Sequence, residues 1–238
     1  MESGEYRNDQ EPTEAEAWIV YADVFGFKQL VHAEGSQSTH VRLADCQRKM
    51  AAALELSQGR PRIYTFSDSF FLLYPTPSQD DKNHILRQCL DDVRSVMQIF
   101  VLCDLPLKGG MAYGHVSYNR SSLVGDAVAR AVEYESLVPA PLMLLPAMEF
   151  ASETPPFHFD VITPLRGGID LVNGGWMEGH VVLPSPVDDL ASMIAAKILN
   201  HGVKGPFRVA KQWVTAHEYL RRVCSQEAGD NRWIKQRS

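Results

Sequence analysis

The sequence predicts an α+β domain with a mostly antiparallel sheet, extended at its C-terminal end by helices. Three observations carry this. Two short apolar stretches, 21–30 and 63–73, read as buried strands that each deliver one aspartate to a turn. Apolar residues recur at helical spacing over 41–54 and again over 85–100. From Val187 onward the spacing is helical. The resulting core order is βααββαβ, with residues 1–15 as a flexible leader, 16–185 as the main domain and 186–238 as a helical extension packed on it.

Taken in order, apolar Ala17 to Val20 lead the first strand to Asp23, and Gly26 opens an amphipathic run suited to a helix. Gly35-Ser-Gln-Ser breaks that run and offers an N-cap near Ser38. A second helix follows with Val41, Leu43, Ala44, Met50 and Leu54 on its core side, and it stops at Gly59. Arg60-Pro61 starts a hairpin: Ile63 and Phe66 precede Ser67-Asp68-Ser69, and Phe70 to Leu73 follow, which puts Asp68 at the tight end. After turn chemistry at 74–79, a long helix from Asp80 carries Ile85, Leu86, Leu90, Val93, Val96, Met97 and Phe100.

Leu105 to Val116 contains Gly109, Gly110 and Gly114, the mark of a central strand crossed closely by another backbone. Leu123-Val-Gly-Asp126 then enters a helix whose small residues, Ala127 and Ala131, allow tight packing. Residues 141–146, 157–162 and 168–183 read as the strands that finish the sheet. Two helices complete the chain, one with Leu190, Met193, Ile194 and Ile198, the other with Val209, Trp213, Leu220 and Val223, separated by 201–206. Arg221, Arg222, Arg232, Lys235 and Arg237 form a solvated tail.

Composition narrows the function. Hydrophobic residues at 45% and charged residues at 22% fit a folded globular chain with a sizeable core. A net charge of −6 gives no general attraction for a nucleic acid polymer. No apolar run approaches the roughly 20 residues of a membrane span, and the acidic start lacks a signal peptide's basic and apolar regions, so the expected location is cytoplasmic. Cys46, Cys89, Cys103 and Cys224 are widely spaced and read as reduced packing residues, with no zinc-binding spacing among cysteines or histidines.

A single aspartate at a strand end usually caps a helix or forms a turn. Two at neighbouring strand ends can share a divalent cation, and the surrounding residues sharpen that reading. Asp23-Val24-Phe25-Gly26-Phe27 matches an Asp-Ile-x-Gly-Phe pattern, and Ser67-Asp68 matches a Gly-Asp hairpin with Ser for Gly. Lys108 to Gly114 matches Arg-x-Gly-Ile-His-x-Gly, and Gly125, Asp126, Val128 and Ala131 match a Trp-Gly-Asp-x-Val-Asn-x-Ala-x-Arg helix. Over roughly residues 15–150 the chain therefore resembles the class III nucleotide cyclase catalytic domain.

That resemblance implies a ferredoxin-like cyclase fold and a triphosphate substrate. It implies two Mn2+ or Mg2+ ions held by Asp23, Asp68 and the Val24 carbonyl, with backbone N–H groups of Phe25, Gly26 and Phe27 on the triphosphate. The reaction it implies is attack of the ribose 3′-hydroxyl on the α-phosphate with loss of pyrophosphate. It also implies a head-to-tail homodimer with two composite sites, in which Tyr64, Ser122 and Arg130 of one chain face the other chain's Asp23 and Asp68.

The base-reading positions of the family fall on Tyr64 and Ser122, and neither purine pair is present. A Tyr ring fills part of a base pocket, so the resemblance points to the pyrimidine cyclases of bacterial Pycsar anti-phage systems, with UTP first and CTP second. The cyclic product would act on a separate receptor effector. Equally, Tyr64 is a strand aromatic able to pack beside Phe66. The family's ribose-orienting Asn and transition-state Arg fall on Ala129 and Glu133; Arg130 is the expected replacement cation, with Lys108 and Arg120 behind it. Loss of that Asn and Arg leaves open a catalytically silent nucleotide-binding domain.

Overall fold

A computed structural model describes residues 11–138, 140–150, 162–164, 169–170, 176–177, 179–184, 187–204, 213–214 and 216–218. The strands are β1 (Thr13–Val24), β2 (Arg62–Phe66), β3 (Ser69–Pro75), β4 (Leu107–Tyr118), β5 (Leu123–Gly125), β6 (Met143–Pro146), β7 (Ile162–Pro164), β8 (Ile169–Asp170), β9 (Trp176–Met177) and β10 (Gly179–Val182). The helices are α1 (Phe27–Glu34), α2 (Ser36–Leu56), α3 (Lys82–Leu102), α4 (Asp126–Leu137) and α5 (Val187–Lys204). The main sheet runs β2-β3-β1-β4-β6-β10-β7, with β5 paired to β4 and β8-β9 apart as a small ribbon. Its pairs are antiparallel except β4 with β6, which is parallel.

β1 lies between β3 and β4, and its alternation builds two cores. Ala17 and Ile19 face one side, where α4, α5 and Trp213 pack. Trp18, Val20, Ala22 and Val24 face the other, against α2 and α3. Because both faces are covered, the strand is apolar without a break from Ala17 to Ala22 instead of alternating with polar residues. The fully buried Ala127 and Ala131 let α4 lie directly on β4. A Cβ on Gly110 would stand 2.4 Å from the Ala131 carbonyl oxygen and 2.5 Å from the Tyr134 Cβ, so that close crossing requires glycine.

Some boundaries differ from the sequence reading. β1 starts at Thr13, within the polar stretch expected to be a leader, because Thr13–Glu16 pair with Tyr118–His115 of β4. In α2 the buried stripe is Thr39, Leu43, Cys46, Met50 and Leu54, whereas Val41 is 63% exposed and Ala44 also faces solvent. α5 continues through His201 to Lys204 instead of breaking at His201. Cys46, Cys89 and Cys103 are free thiols, the first two buried. Trp213 lies in a helical turn, while Val209, Leu220, Val223, Cys224, the basic tail and residues 157–161 lie outside the described residues. Among the described residues no helix is long and apolar enough to cross a membrane.

Candidate active site

Asp23 stands at the end of β1, with Ser69 of β3 opposite on one side and Lys108 of β4 on the other. The β2–β3 turn that carries Asp68 is tight. Ser67 adopts a positive φ of 55°, the Ser69 hydroxyl donates to the Phe66 carbonyl at 3.0 Å, and Gln47 of α2 donates to the Ser67 carbonyl at 3.0 Å. Since Ser69 is the direct cross-strand partner of Asp23, the preceding residue delivers its side chain beside it, close enough for the Asp68 charge to act on the Asp23 carboxyl.

Two acids so placed cannot both ionise freely. Burial, then the charge of Asp68, then that of Glu135, push the Asp23 carboxyl up to about 7, against the opposing pull of Lys108. Lys108 is itself paired with Glu135 of α4, so its ammonium is shared between two acidic neighbours. The native state retains the Asp23 proton from the ordinary value of 3.8 up to about 7, whereas the unfolded chain releases it near 3.8. This group's contribution to metal-free stability therefore declines as pH rises from 4 through 7. A thermal melt series should show Asp23→Asn flattening that decline; an identical pH profile in the variant would refute the assignment.

The turn after Asp23 departs in part from expectation. Val24 is paired with Leu107 and its side chain is buried. The Phe25 N–H donates to the Pro106 carbonyl at 2.8 Å and its ring is buried, so this amide is committed to the fold and does not hold phosphate. Gly26 follows with φ 78°, and α1 starts at Phe27. The first N–H groups of that helix have no intrahelical acceptor and carry its positive dipole end.

Tyr64 and Ser122 come together through a residue the sequence reading missed. The Tyr64 hydroxyl donates to the Asn119 carbonyl at 2.6 Å, and the Asn119 side-chain oxygen accepts from the Ser122 N–H at 2.8 Å and the Ser122 hydroxyl at 2.9 Å. The β4–β5 end thus curls over β2, where Arg62 also stacks on Tyr118 at 4.7 Å. The Tyr64 ring is buried in the core on the α4 side of the sheet, so it packs as a strand aromatic while its polar end faces the Asn119 turn. The asparagine in Tyr118-Asn119-Arg120-Ser121 was the available turn signal.

Arg130 is placed otherwise than expected. Its guanidinium donates to Glu149 at 3.1 Å, to Asp126 at 2.5 Å and to the Tyr113 carbonyl at 2.5 Å. Glu149, whose side chain is 4% exposed, also accepts from the Tyr134 hydroxyl at 2.6 Å and the Tyr113 N–H at 2.9 Å. Tyr113 faces Trp18, five residues from Asp23 along β1, about 17 Å of strand. Within its own chain Arg130 is therefore tied to Glu149 and Asp126, remote from Asp23. Lys108, grouped with Arg130 in the sequence reading, lies instead beside its own chain's Asp23. Arg120 is exposed on the Asn119 turn.

Among the described residues no group of three or more His, Cys, Asp or Glu side chains could hold a metal ion by itself. The acidic pair can supply only part of a coordination shell. Solved structures similar to this chain include cyclase domains. The chain is similar to the adenylyl cyclase CyaB from P. aeruginosa, at 15% identity and a TM-score of 0.57 over 75% of this chain and 99% of that one. It is similar to the catalytic core of a rhodopsin-guanylyl cyclase with converted specificity in complex with ATPαS, at 15% identity and a TM-score of 0.56 over 73% and 98%. A bacterial light-regulated adenylyl cyclase aligns at 16% identity and a TM-score of 0.52 over 86% of this chain and 59% of that one. No family model and no curated protein matches the sequence. The likeness establishes the fold, that of a class III cyclase domain.

Proposed function

We propose that the protein is a metal-dependent nucleotide cyclase that converts UTP to 3′,5′-cyclic UMP and pyrophosphate. The observation that carries this is the meeting of the Asp23 and Asp68 carboxyls at the end of β1. Two acids forced together, one reluctant to ionise, form a donor set that a hard divalent ion relieves. Asp23, Asp68 and the Val24 carbonyl are the groups that would hold two Mn2+ or Mg2+ ions, leaving the other positions to water and phosphate. Bound there, such ions neutralise the triphosphate and make the ribose 3′-hydroxyl more acidic.

The chain's own groups do the rest. N–H groups at the start of α1, at Gly26 and Phe27, bind the triphosphate through the helix dipole. Ser122, with Tyr64 behind it holding the Asn119 turn, faces the base of a nucleotide whose phosphates lie on a second copy of the chain. With Arg130 committed to Glu149, the exposed Arg120 beside Ser122 is the cation best placed to approach the phosphates across a homodimer. Exposed Phe66, Val124 and Val132 supply apolar surface for that contact.

A pyrimidine fits the smaller space left by the Tyr64 ring. CTP is the second choice, and one observation favours it: both hydroxyls donate to Asn119, leaving two acceptors that suit an exocyclic amino group. The cyclic product would act on a receptor effector in anti-phage defence in the cytoplasm. The test is incubation with Mn2+ and each of the four nucleoside triphosphates, with products separated by chromatography. Cyclic UMP should appear with equimolar pyrophosphate. No cyclic product from any nucleotide would leave a silent nucleotide-binding domain, the reading that Ala129 and Glu133 favour.

A further inference from the structure

The C-terminal helical unit reaches the turn between Asp23 and α1 from behind. Trp213, 4% exposed, meets the Phe25 ring edge-on, with centroids 4.9 Å apart and planes at 83°. The same indole covers Gly26, where an added Cβ would stand 3.3 Å from its Cζ2 atom. Gly26 is in the left-handed region, and a glycine there leaves the turn with more backbone freedom than any other residue. A second grip comes through α5. Lys197 pairs with Asp104 at 2.5 Å, in the loop whose Pro106 carbonyl accepts the Phe25 N–H.

Between these two grips lies a cavity of about 240 Å3, lined in part by Val24, Leu30, Ala33 and Leu105. The turn therefore has space to move into once the indole is gone. Its dihedral angles aim the first N–H groups of α1 relative to the Asp23 carboxylate, which the pairings of β1 hold in place, so its freedom and the aim of the site are linked.

We propose that Trp213 is a positioning residue for the Asp23 turn, through which the C-terminal helical unit sets the affinity of the site for a metal–triphosphate. The link to affinity rests on the cyclase reading; the grip itself rests only on the packing. Trp213 touches neither substrate nor metal. It acts by removing conformations of the Val24-Phe25-Gly26 turn that would misdirect the first N–H groups of α1 relative to Asp23, so that binding does not have to order them.

The full-length chain and its Trp213→Ala, Trp213→Leu and Trp213→Phe variants are compared by amide hydrogen exchange and by calorimetric titration with Mn2+ plus α,β-methylene-UTP. In the folded alanine variant, exchange of the 24–30 segment should accelerate about tenfold or more while α2 is unchanged. Affinity for the Mn2+–nucleotide should weaken about tenfold, with phenylalanine restoring most of both effects. Unchanged exchange in the turn, or equal acceleration over the whole chain, overturns the proposal. Should the alanine variant not fold, the leucine variant decides, with the same pattern at smaller amplitude expected. A wild-type chain that binds no Mn2+–nucleotide overturns the cyclase reading, while the exchange comparison still decides the grip.

Discussion

Replacing either Asp23 or Asp68 by alanine should lower cyclic nucleotide synthesis by at least about 1,000-fold. Neither carboxylate can replace the other, because they approach from different strands and each supplies separate donor positions. The same substitutions should act with the opposite sign on the metal-free fold. Asp23 is held partly protonated by burial and by its acidic neighbours, so removing one member of the pair relieves repulsion at pH 8. Each variant should therefore melt at or above the wild-type temperature without metal, and should lose the rise in Tm that Mn2+ gives the wild type. A variant that keeps both its activity and its Mn2+ response would remove the acidic pair from the mechanism. Mixing Asp23→Ala chains with Arg120→Ala chains tests the composite site. Mixed dimers carry one intact site, so activity should return where neither variant alone has any, and no recovery would place the whole site within one chain.

Arg130→Ala should destabilise the protein by about 3 kcal/mol, roughly 10 °C in Tm. The loss comes from Glu149, which would keep its Tyr134 and Tyr113 partners but lose the cation that compensates its buried charge. Glu149→Gln should cost less, and the double variant Arg130→Ala/Glu149→Gln less than the sum of the two, the signature of coupled neighbours. Denaturant titration of the four proteins measures this directly. If Arg130→Ala instead melts like the wild type while activity falls a thousandfold, the arginine faces substrate and the structural assignment fails.

Much of the site was legible from local pattern. A buried strand ending in Asp23 before Gly26, and a hairpin with Asp68 at its tip, are short-range features written in consecutive residues. Their cross-strand register was not legible in the same way, because β1 is apolar on both faces and offers no alternation to fix its pairing with β3. The partners of Arg130 within its own chain were not legible, for a physical reason. Helical geometry gave its direction relative to Ala129, but its partner Glu149 is brought in by the turn after β6. The influence of Glu135 on Asp23 was invisible for a similar reason, since it requires α4 to cross β4 at Gly110.

The amino-acid order by itself determined the elements, the two acidic turns and the glycine strand, because each depends on contacts between near neighbours or on a repeating period. Only the tertiary structure decided which partners the charged and polar groups take: Arg130 on Glu149, Lys108 between Asp23 and Glu135, Tyr64 on Asn119. Electrostatic and hydrogen-bond partners are chosen by distance in space, and residues remote in sequence acquire that distance only when the helices dock on the sheet.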